Sequence, residues 1–281
     1  MKTESEIKEM VKQKYSEIAL QDKTTNQSSC CGAGSCSTEV YNIMSDDYTE
    51  LTGYNPEADL GLGCGLPTQF AAIKKGDIVI DLGSGAGNDC FIARAETGEQ
   101  GKVIGIDFTE AMIHKARENA EKLNFNNVEF RQGDIEHMPV SSNTADVIVS
   151  NCVLNLVPNK NNVFGEIYRV LKPGGHFSIS DVVLQGNLPD QLGNAAEMYA
   201  GCVSGAIQKE TYLELIKING FTNIKIQKEK AIIIPDDILS NYLTTSELDA
   251  FKSGETGIFS ISVYAEKPVQ PVVCTPGGGC C

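Results

Sequence analysis

Short apolar runs and longer amphipathic stretches alternate through the middle of the chain, from residue 77 to residue 183. The apolar runs predict buried strands, because a strand covered on both faces shows no polar alternation. The amphipathic stretches predict helices with one buried face. The predicted strands cover 77–83, 102–108, 128–134, 146–152 and 176–183, and the predicted helices cover 88–96, 110–124 and 160–171. Strands that alternate with helices predict a doubly wound parallel sheet, since parallel neighbours need crossover connections.

The regions on either side of this core add helices and two further strands. Residues 4–20 predict a helix, and a Cys-rich loop and short helices follow it up to Ile73. The helix at 160–171 is expected to stop at the sequence LKPGG, where proline and glycine break its period. Beyond a helical stretch at 188–220, two strands are expected to form an antiparallel hairpin that completes the sheet; they cover 223–234 and 259–268 and enclose helical residues 236–250.

The order of these predicted elements divides the chain into successive parts. They are an N-terminal helical and Cys-rich region at 1–75, an α/β core at 76–184, a helical insertion at 185–220, a sheet-completing part at 221–267 and a Cys-rich tail at 268–281. The core is of the kind that binds nucleotides, because open α/β sheets place their ligands where the strands end.

Charge and hydropathy exclude two classes of partner. The chain of 281 residues carries a formal net charge of −14, which would repel the phosphates of nucleic acid. No apolar run approaches the ~18 residues that span a bilayer. The N-terminus MKTESEIKEMVKQKY also lacks the apolar core of a secretory signal. We therefore expect a cytoplasmic protein with no membrane partner.

The chain contains 10 cysteines. In a reducing compartment they are not expected to form a structural disulfide framework. Cys90, inside the apolar stretch DCFIARA, is expected to be a small buried residue. Two clusters, in SSCCGAGSCS and VVCTPGGGCC, have neighbours rich in Gly, Ser and Pro and are expected to be exposed. Their cysteines are Cys30, Cys31, Cys36, Cys274, Cys280 and Cys281.

Zinc is the obvious competitor for clustered thiols. Structural zinc sites usually present cysteine pairs separated by two to four residues, often together with histidine. This sequence has no C-x-x-C pair, and its histidines, His114, His137 and His176, do not fall near the cysteines. The pattern therefore does not favour a zinc finger.

The first strand is followed by a glycine loop, DLGSGAGND, with Gly83, Gly85 and Gly87. Glycines there let the chain turn sharply and let a ligand approach the backbone amides. The dinucleotide fingerprint wants a small residue where this chain has Asn88, which weakens the interpretation as an NAD site. Polar groups also end or follow the next three strands, at Asp107, Asp134 and Asn151. Each alone could be a helix cap or turn residue, but the set together predicts a cofactor site.

This ordered set resembles the class I S-adenosylmethionine-dependent methyltransferases over roughly residues 76–184. The resemblance implies their Rossmann-like fold and S-adenosylmethionine as cofactor. It implies that Asp107 holds the ribose and that Asn151 lies near the methyl donor. The other residues that it assigns to the cofactor are Asp81, Gly83, Ser84 and Gly85 around the glycine loop, with Phe108, Met112, Asp134 and Ile135 around the adenine.

A more specific resemblance, from about Ser28 to Pro268, is to the bacterial and archaeal arsenite methyltransferases. LGCGLPT, SNCVLNL and AGCVSGA carry it, since general methyltransferases lack cysteine at all three places. The resemblance implies that Cys64, Cys152 and Cys202 bind trivalent arsenic, with the insertion at 185–220 supplying the last. An upstream cysteine would take part in redox exchange; Cys30, Cys31 and Cys36 are candidates, and we favour Cys31. The tail cysteines are candidates for an accessory metalloid-capturing segment.

The activity implied is methyl transfer from S-adenosylmethionine to thiol-bound arsenic, in arsenic detoxification. Its partners would be arsenite, methylated trivalent arsenicals, and thioredoxin or glutathione as reductant. Two alternatives stay open at this point. One is an ordinary methyltransferase of a quinone-like substrate with structural cysteines, and the other is a non-catalytic metalloid-binding protein. The number of methyl groups added and the oligomeric state are not set by the sequence.

Overall fold

A computed structural model describes residues 3–20, 46–186, 205–233, 239–240, 243–253 and 257–269. Within these residues, seven strands form one sheet in the order β3-β2-β1-β4-β5-β7-β6. The strands are β1 (Ile78–Leu82), β2 (Lys102–Asp107), β3 (Val128–Gln132), β4 (Ala145–Asn151), β5 (Leu171–Gln185), β6 (Thr222–Ala231) and β7 (Gly257–Glu266). β1 to β5 pair in parallel, whereas β7 pairs antiparallel with both β5 and β6. The predicted doubly wound sheet with an antiparallel C-terminal hairpin is confirmed.

The helices of the N-terminal region and the core lie close to their predicted positions. In the stretch predicted to be helical at 188–220, the described residues 205–208 and 219–220 are not helical, and residues 243–244 of the helix predicted at 236–250 are not helical either. In chain order the helices are α1 (Glu4–Ala19), α2 (Pro67–Phe70), α3 (Asn88–Thr97), α4 (Glu110–Lys122), α5 (Lys160–Val170), α6 (Lys209–Ile218) and α7 (Thr245–Ser253). Two single 3₁₀ turns cover Ile135–His137 and Leu154–Leu156. α1 begins with a capping box, in which Thr3 and Glu6 satisfy each other's backbone amides. No helix in the described ranges is long and apolar enough to cross a membrane.

β5 is the strand whose bounds differ most from the prediction. α5 ends at Val170, as the LKPGG sequence predicted, but β5 begins at once with Leu171 rather than at His176. Leu171 pairs with Ala145, and the register then shifts so that His176 pairs with Val147. Such a bulge explains how Pro173 and Gly174 fit into a strand, because β4 pairs with neither of them, and the Gly174 amide donates to the Lys267 carbonyl at 2.8 Å instead. β5 also runs to Gln185, one residue past the predicted end of the core at 184.

Both faces of the central strands β1, β2 and β4 are covered, which explains why these strands are largely apolar, whereas the edge strand β6 is polar and mostly exposed. Ile80, Ile104 and Ile148 belong to a buried cluster that contains Phe164 and Ile167 of α5. The neighbouring valines pack on the other face, in a cluster with residues of α3 and α4; they are Val79, Val103, Val147 and Val149. Burial of one such side chain contributes about 1.5–3 kcal/mol. This rigid sheet holds the ends of β1 to β4 side by side.

Lys267 follows β7 and closes the C-terminal end of α5. It is buried, and its Nζ donates to the carbonyl oxygens of Tyr168 and Leu171, each at 2.7 Å, and to Asn143 Oδ1 at 2.8 Å. The last carbonyls of a helix have no partner within the helix, and a cation stabilises them. Burial lowers the pKa of the Lys267 ammonium.

We expect Lys267→Met to lower the free energy of unfolding by about 2–3 kcal/mol, because buried carbonyls lose their donor. Urea denaturation monitored by circular dichroism measures this change. The exposed Lys74 provides the matched control, since Lys74→Met should change stability by less than about 0.5 kcal/mol. Equal effects of the two substitutions would show that Lys267 does not cap α5.

Candidate functional site

A cleft of about 1100 Å³, open to solvent, lies where β1, β2 and β4 end. The glycine loop after β1 forms its floor, α1 borders it, and the loop before Cys64 covers one wall. All the residues that the sequence assigned to the cofactor line this cleft: Asp81, Gly83, Ser84, Gly85, Asp107, Phe108, Met112, Asp134, Ile135 and Asn151. They are therefore in one place, and their individual contacts with a cofactor stay predictions.

The glycine loop is shaped by two glycines with left-handed backbone angles. Gly83 has φ +69°, and a Cβ there would lie 2.3 Å from Val153 Cγ2. Gly85 has φ +51°, and nothing lies within 4 Å of a Cβ built on it. Because L residues other than glycine rarely adopt these angles, both glycines are required by the turn. The loop thus presents open backbone to the cleft.

Asp107 fastens this loop to β2. Its Oδ2 accepts from the Gly85 amide at 3.0 Å, and its Oδ1 accepts from the Thr109 amide at 2.8 Å. Burial raises the pKa of the Asp107 carboxyl, and these backbone donors lower it again in part. The predicted ribose ligand therefore also holds the loop that would contact the rest of the cofactor.

The cleft is strongly acidic. Asp59, Asp81, Asp89 and Asp107 line it, and the lysine among the described lining residues, Lys8, is paired with Asp134 and Glu136. Burial raises the pKa of Asp81 well above its usual range and that of Asp89 to about 6. Carboxylates crowded in this way favour a positively charged ligand and repel a pyrophosphate. A sulfonium cofactor fits this donor set.

Asp89 offers a specific place for such a charge. Its Oδ1 is buried and has no hydrogen-bond partner among the described residues. Its Oδ2 is contacted by Tyr48 Oη at 3.1 Å and by Asn151 Nδ2 at 3.3 Å. A buried carboxylate oxygen that lacks a donor is costly, so a ligand cation or ligand N–H would stabilise it.

Asn151 and Tyr48 connect this cleft to the first cysteine. Asn151 Oδ1 accepts from the Cys64 amide at 3.1 Å, and its Nδ2 donates to the Gly65 carbonyl at 2.8 Å and contacts the Tyr48 hydroxyl. Tyr48 Oη also lies 3.0 Å from the Gly65 carbonyl oxygen. Burial raises the pKa of Tyr48 well above its usual range, so the phenol remains a donor. Two elements distant in sequence are thereby fixed together.

The structure joins Cys64 and Cys152 in a disulfide, with their Cα atoms 5.8 Å apart. Both residues are buried, and Cys152 lines the cleft. Cys152 has φ +58°, a conformation that a non-glycine residue adopts only under local constraint, and its amide donates to the Ser180 carbonyl at 2.8 Å. Ser260 Oγ donates to the Cys64 carbonyl at 2.7 Å. Two of the three predicted arsenic ligands are therefore adjacent, at the edge of the acidic cleft.

The remaining predicted cysteine sites lie outside the described residues. They are Cys202, the N-terminal candidates Cys30, Cys31 and Cys36, and the tail residues Cys274, Cys280 and Cys281. Cys90 is fully buried, as predicted, and its Sγ contacts Asp81 Oδ2 at 3.2 Å. Burial raises the pKa of its thiol well above the usual range. Within the described ranges no group of three or more potential ligands is arranged to hold a metal ion.

Several residues of this site were not predicted from the sequence. Tyr48 and Asp59 lie in a region without clear periodicity, where no signal could have placed them at the cleft. Asp89 had a signal, since it follows the glycine loop directly, but a carboxylate there also suits the first turn of a helix. Lys8 could not have been found, because it reaches the cleft from a helix far away in sequence.

Comparison with known proteins agrees with this geometry. A family model described as a methyltransferase domain matches residues 73–220. An arsenite methyltransferase of Halobacterium salinarum is 40% identical over 94% of this chain and 68% of its own length. A second one, from Aquipseudomonas alcaligenes, is 34% identical over 84% of this chain and 68% of its own length.

A solved structure shows the same likeness in three dimensions. It is the crystal structure of an arsenic (III) S-adenosylmethionine methyltransferase from Chlamydomonas reinhardtii. It superposes with a TM-score of 0.62 at 30% identity and covers 83% of this chain and 75% of its own. Both the sequence and the structural match cover far more of the chain than residues 73–220, which the family model matches.

Proposed function

This chain belongs to the arsenite methyltransferase family, and on that basis we propose that it moves the methyl group of S-adenosylmethionine to trivalent arsenic held by Cys64, Cys152 and Cys202. One observation carries the proposal. The Cys64 and Cys152 sulfurs meet at the edge of an acidic cleft that suits a cationic cofactor. A quinone methyltransferase would have no use for buried thiols at this edge, so the first alternative is not favoured.

Different residues of the cleft suit different parts of the cofactor. The Gly83–Gly85 backbone and Asp107 suit the amino acid and ribose parts, and Phe108 and Met112 suit the adenine. Asp81 and Asp89 lie near the glycine loop, where a bound cation would favour their ionised forms. When bound, S-adenosylmethionine supplies an electrophilic methyl group on a positively charged sulfur. The protein then has mainly to orient two bound groups, for which effective molarities reach ~10⁵ M or more.

The thiols explain how an acidic protein can bind arsenite. Arsenite at neutral pH is the uncharged As(OH)₃, so carboxylates do not repel it. Three thiols replace its three hydroxyls with release of three waters, which leaves a pyramidal arsenic with one lone pair. That lone pair attacks the methyl carbon and displaces S-adenosylhomocysteine, and no general base is needed. The buried, apolar surroundings of Cys64 and Cys152, with Val182 and Ile258, exclude water from the complex.

The same two cysteines can supply the electrons that the reaction consumes. Forming the As–C bond uses the arsenic lone pair and raises arsenic formally from trivalent to pentavalent. Two arsenic-bound thiolates then leave as a disulfide, and their two electrons return arsenic to the trivalent state. A water that loses one proton takes the vacated position, which leaves a neutral methylated arsenic on the remaining thiolate. The observed Cys64–Cys152 disulfide supports this assignment. An external thiol reductant, either the dithiol thioredoxin or two molecules of glutathione, would restore both thiols through exchange with an N-terminal cysteine, for which we favour Cys31.

Such a cycle needs a reducing compartment, and we therefore propose a cytoplasmic setting. The net charge of −14 supports an absence of nucleic acid partners.

X-ray absorption at the arsenic edge tests the ligand set. Reduced protein loaded with arsenite should show about three sulfur neighbours, because three neutral thiols satisfy trivalent arsenic. The count should fall in Cys152→Ser and in Cys202→Ser, while Cys90→Ala, a buried cysteine outside the set, should leave it unchanged. An unchanged sulfur count in both serine variants would contradict the assignment.

The raised pKa of Asp89 makes cofactor binding depend on pH. In the ligand-free protein this carboxyl holds its proton up to about pH 6, so stability falls as pH rises between the ordinary carboxyl pKa and that value. A bound cation favours the ionised carboxylate instead. Affinity for S-adenosylmethionine should therefore rise about tenfold from about pH 5 to about pH 7 and then level off.

Isothermal titration calorimetry measures that dependence, and Asp89→Asn is the variant that should lose most of it. The amide has nearly the same shape but no proton to release. If the variant retains the full pH dependence, another group of the cleft, such as Asp81, governs binding.

A further inference from the structure

Cys64 is buried although it lies in a segment that belongs to no helix or strand. Because such a segment has no hydrogen-bonded ladder of its own, its place beside Cys152 depends on contacts with the sheet. Asn151 Oδ1 accepts from the Cys64 amide at 3.1 Å, and Ser260 Oγ donates to the Cys64 carbonyl at 2.7 Å. Both polar groups of the Cys64 main chain are thus bound from the sheet, one from β4 and the other from β7.

The glycines on either side of this cysteine let the segment approach the sheet closely. A Cβ at Gly63 would lie 2.6 Å from Asn151 Nδ2. A Cβ at Gly65 would lie 2.5 Å from Ser180 Oγ. These two side chains are held in place, because Asn151 Nδ2 donates to the Gly65 carbonyl at 2.8 Å and Ser180 Oγ lies 2.7 Å from Ser262 Oγ. A side chain at either glycine would therefore push the segment away from the sheet.

Cys152 is fixed by contacts of its own. It directly follows Asn151 at the end of β4, has φ +58°, and donates its amide to the Ser180 carbonyl at 2.8 Å. These backbone contacts, like those of Cys64, do not involve a sulfur atom. The two cysteines are therefore held side by side by contacts other than the disulfide bond itself.

We infer that Asn151 and Ser260 are positioning residues that keep the Cys64 and Cys152 thiols together when the disulfide is open. Thiols held close have a high effective concentration toward each other, which favours the disulfide over the open dithiol. A dithiol that forms its disulfide more readily is a stronger reductant. The contacts therefore make this pair better at donating two electrons to arsenic. That last step rests on the proposed function, whereas the effect on the thiol pair does not.

Removing one contact should weaken the preference for the disulfide. In the oxidised protein the disulfide still holds Cys64 in place, but in the reduced protein the freed segment can relax, which favours the dithiol. We expect Ser260→Ala to lower the equilibrium constant for oxidation by glutathione about fivefold to tenfold, the scale of one hydrogen bond. A tenfold change corresponds to a reduction potential about 30 mV higher. Asn151→Ala should have at least as large an effect, since Asn151 also binds the Gly65 carbonyl.

Equilibration of the full chain with glutathione buffers of known thiol and disulfide content measures this constant. One oxidised glutathione and the two thiols give the Cys64–Cys152 disulfide and two reduced glutathiones, so electrons and protons balance. After acid quenching and alkylation of free thiols, peptide mass spectrometry quantifies this pair apart from the other cysteines. Ser178→Ala is the matched control, because Ser178 is also buried on β5 but its Oγ contacts Gln227 Oε1 at 3.5 Å.

A role limited to stability would lower the free energy of unfolding without moving the potential, so urea denaturation of each variant is measured as well. Ser178→Ala should keep the wild-type constant within about twofold. If Ser260→Ala and Asn151→Ala do the same, or if Ser178→Ala shifts the constant equally, the inference is wrong. The titration contains no arsenic, so that result would leave the proposed methyl transfer standing. If the wild-type pair forms no disulfide in any buffer, both the inference and the electron supply assigned to this pair are wrong.

Discussion

Replacing Cys152 with serine is expected to abolish methylation of arsenite while leaving the cofactor bound. A serine hydroxyl cannot replace a thiol on trivalent arsenic. The arsenic would therefore be bound by fewer sulfur atoms, and its lone pair would no longer be aligned with the methyl group. Loss of that alignment alone should lower the rate by roughly 100-fold or more. The variant also cannot form the Cys64–Cys152 disulfide that returns electrons to arsenic.

Two measurements separate this effect from damage to the fold. S-adenosylmethionine affinity, measured by calorimetry, should be close to that of wild type, because Cys152 lies at the edge of the cleft and not on the glycine loop. Cys90→Ala is the control for removing a buried thiol, and it should keep its activity. Undiminished methyl transfer by Cys152→Ser would instead favour an enzyme with structural cysteines.

Replacing Cys30, Cys31 and Cys36 together with serine is expected to stop turnover without stopping binding. A single Cys31→Ser variant is less decisive, because its neighbours could take over the exchange. The first methyl transfer needs only reduced Cys64, Cys152 and Cys202, so a single turnover should proceed. The buried disulfide then formed would no longer be reduced, and multiple turnover should fall by roughly 100-fold.

Single-turnover and steady-state assays with thioredoxin as reductant distinguish the two phases. Methylation of an already methylated trivalent arsenical should survive better, since fewer thiols hold it. Full multiple-turnover activity in the triple variant would show that these cysteines have no redox role.

The sequence allowed most of the fold to be predicted, for a physical reason. Strands buried on both faces favour apolar residues on both sides, so largely apolar runs such as 77–83 and 146–152 leave little ambiguity. β5 was the exception, because Pro173 and Gly174 normally break a strand and only the bulge opposite Ala145 accommodates them. Turn chemistry is local and visible in sequence, whereas a register shift depends on the neighbouring strand.

The cofactor side of the site was also accessible from sequence, since strand ends meet at one edge and their polar residues can be counted there. The acidic character of the cleft as a whole could not be predicted from the sequence. Asp59 and Tyr48 reach it from an irregular segment, and Lys8 reaches it from α1. The pairing of Cys64 with Cys152 spans 88 residues and required the structure. Contacts between residues so far apart in sequence are set by tertiary packing, which leaves no periodic pattern in the sequence.

Arsenic speciation shows whether this protein methylates arsenic. Reduced protein would be incubated with arsenite, S-adenosylmethionine and a thioredoxin system, and the arsenic species would be separated by chromatography. We expect methylated arsenic to accumulate with time, with one S-adenosylhomocysteine formed for each methyl group transferred. Tight binding of arsenite with neither product would contradict methyl transfer and would identify a metalloid-binding protein instead.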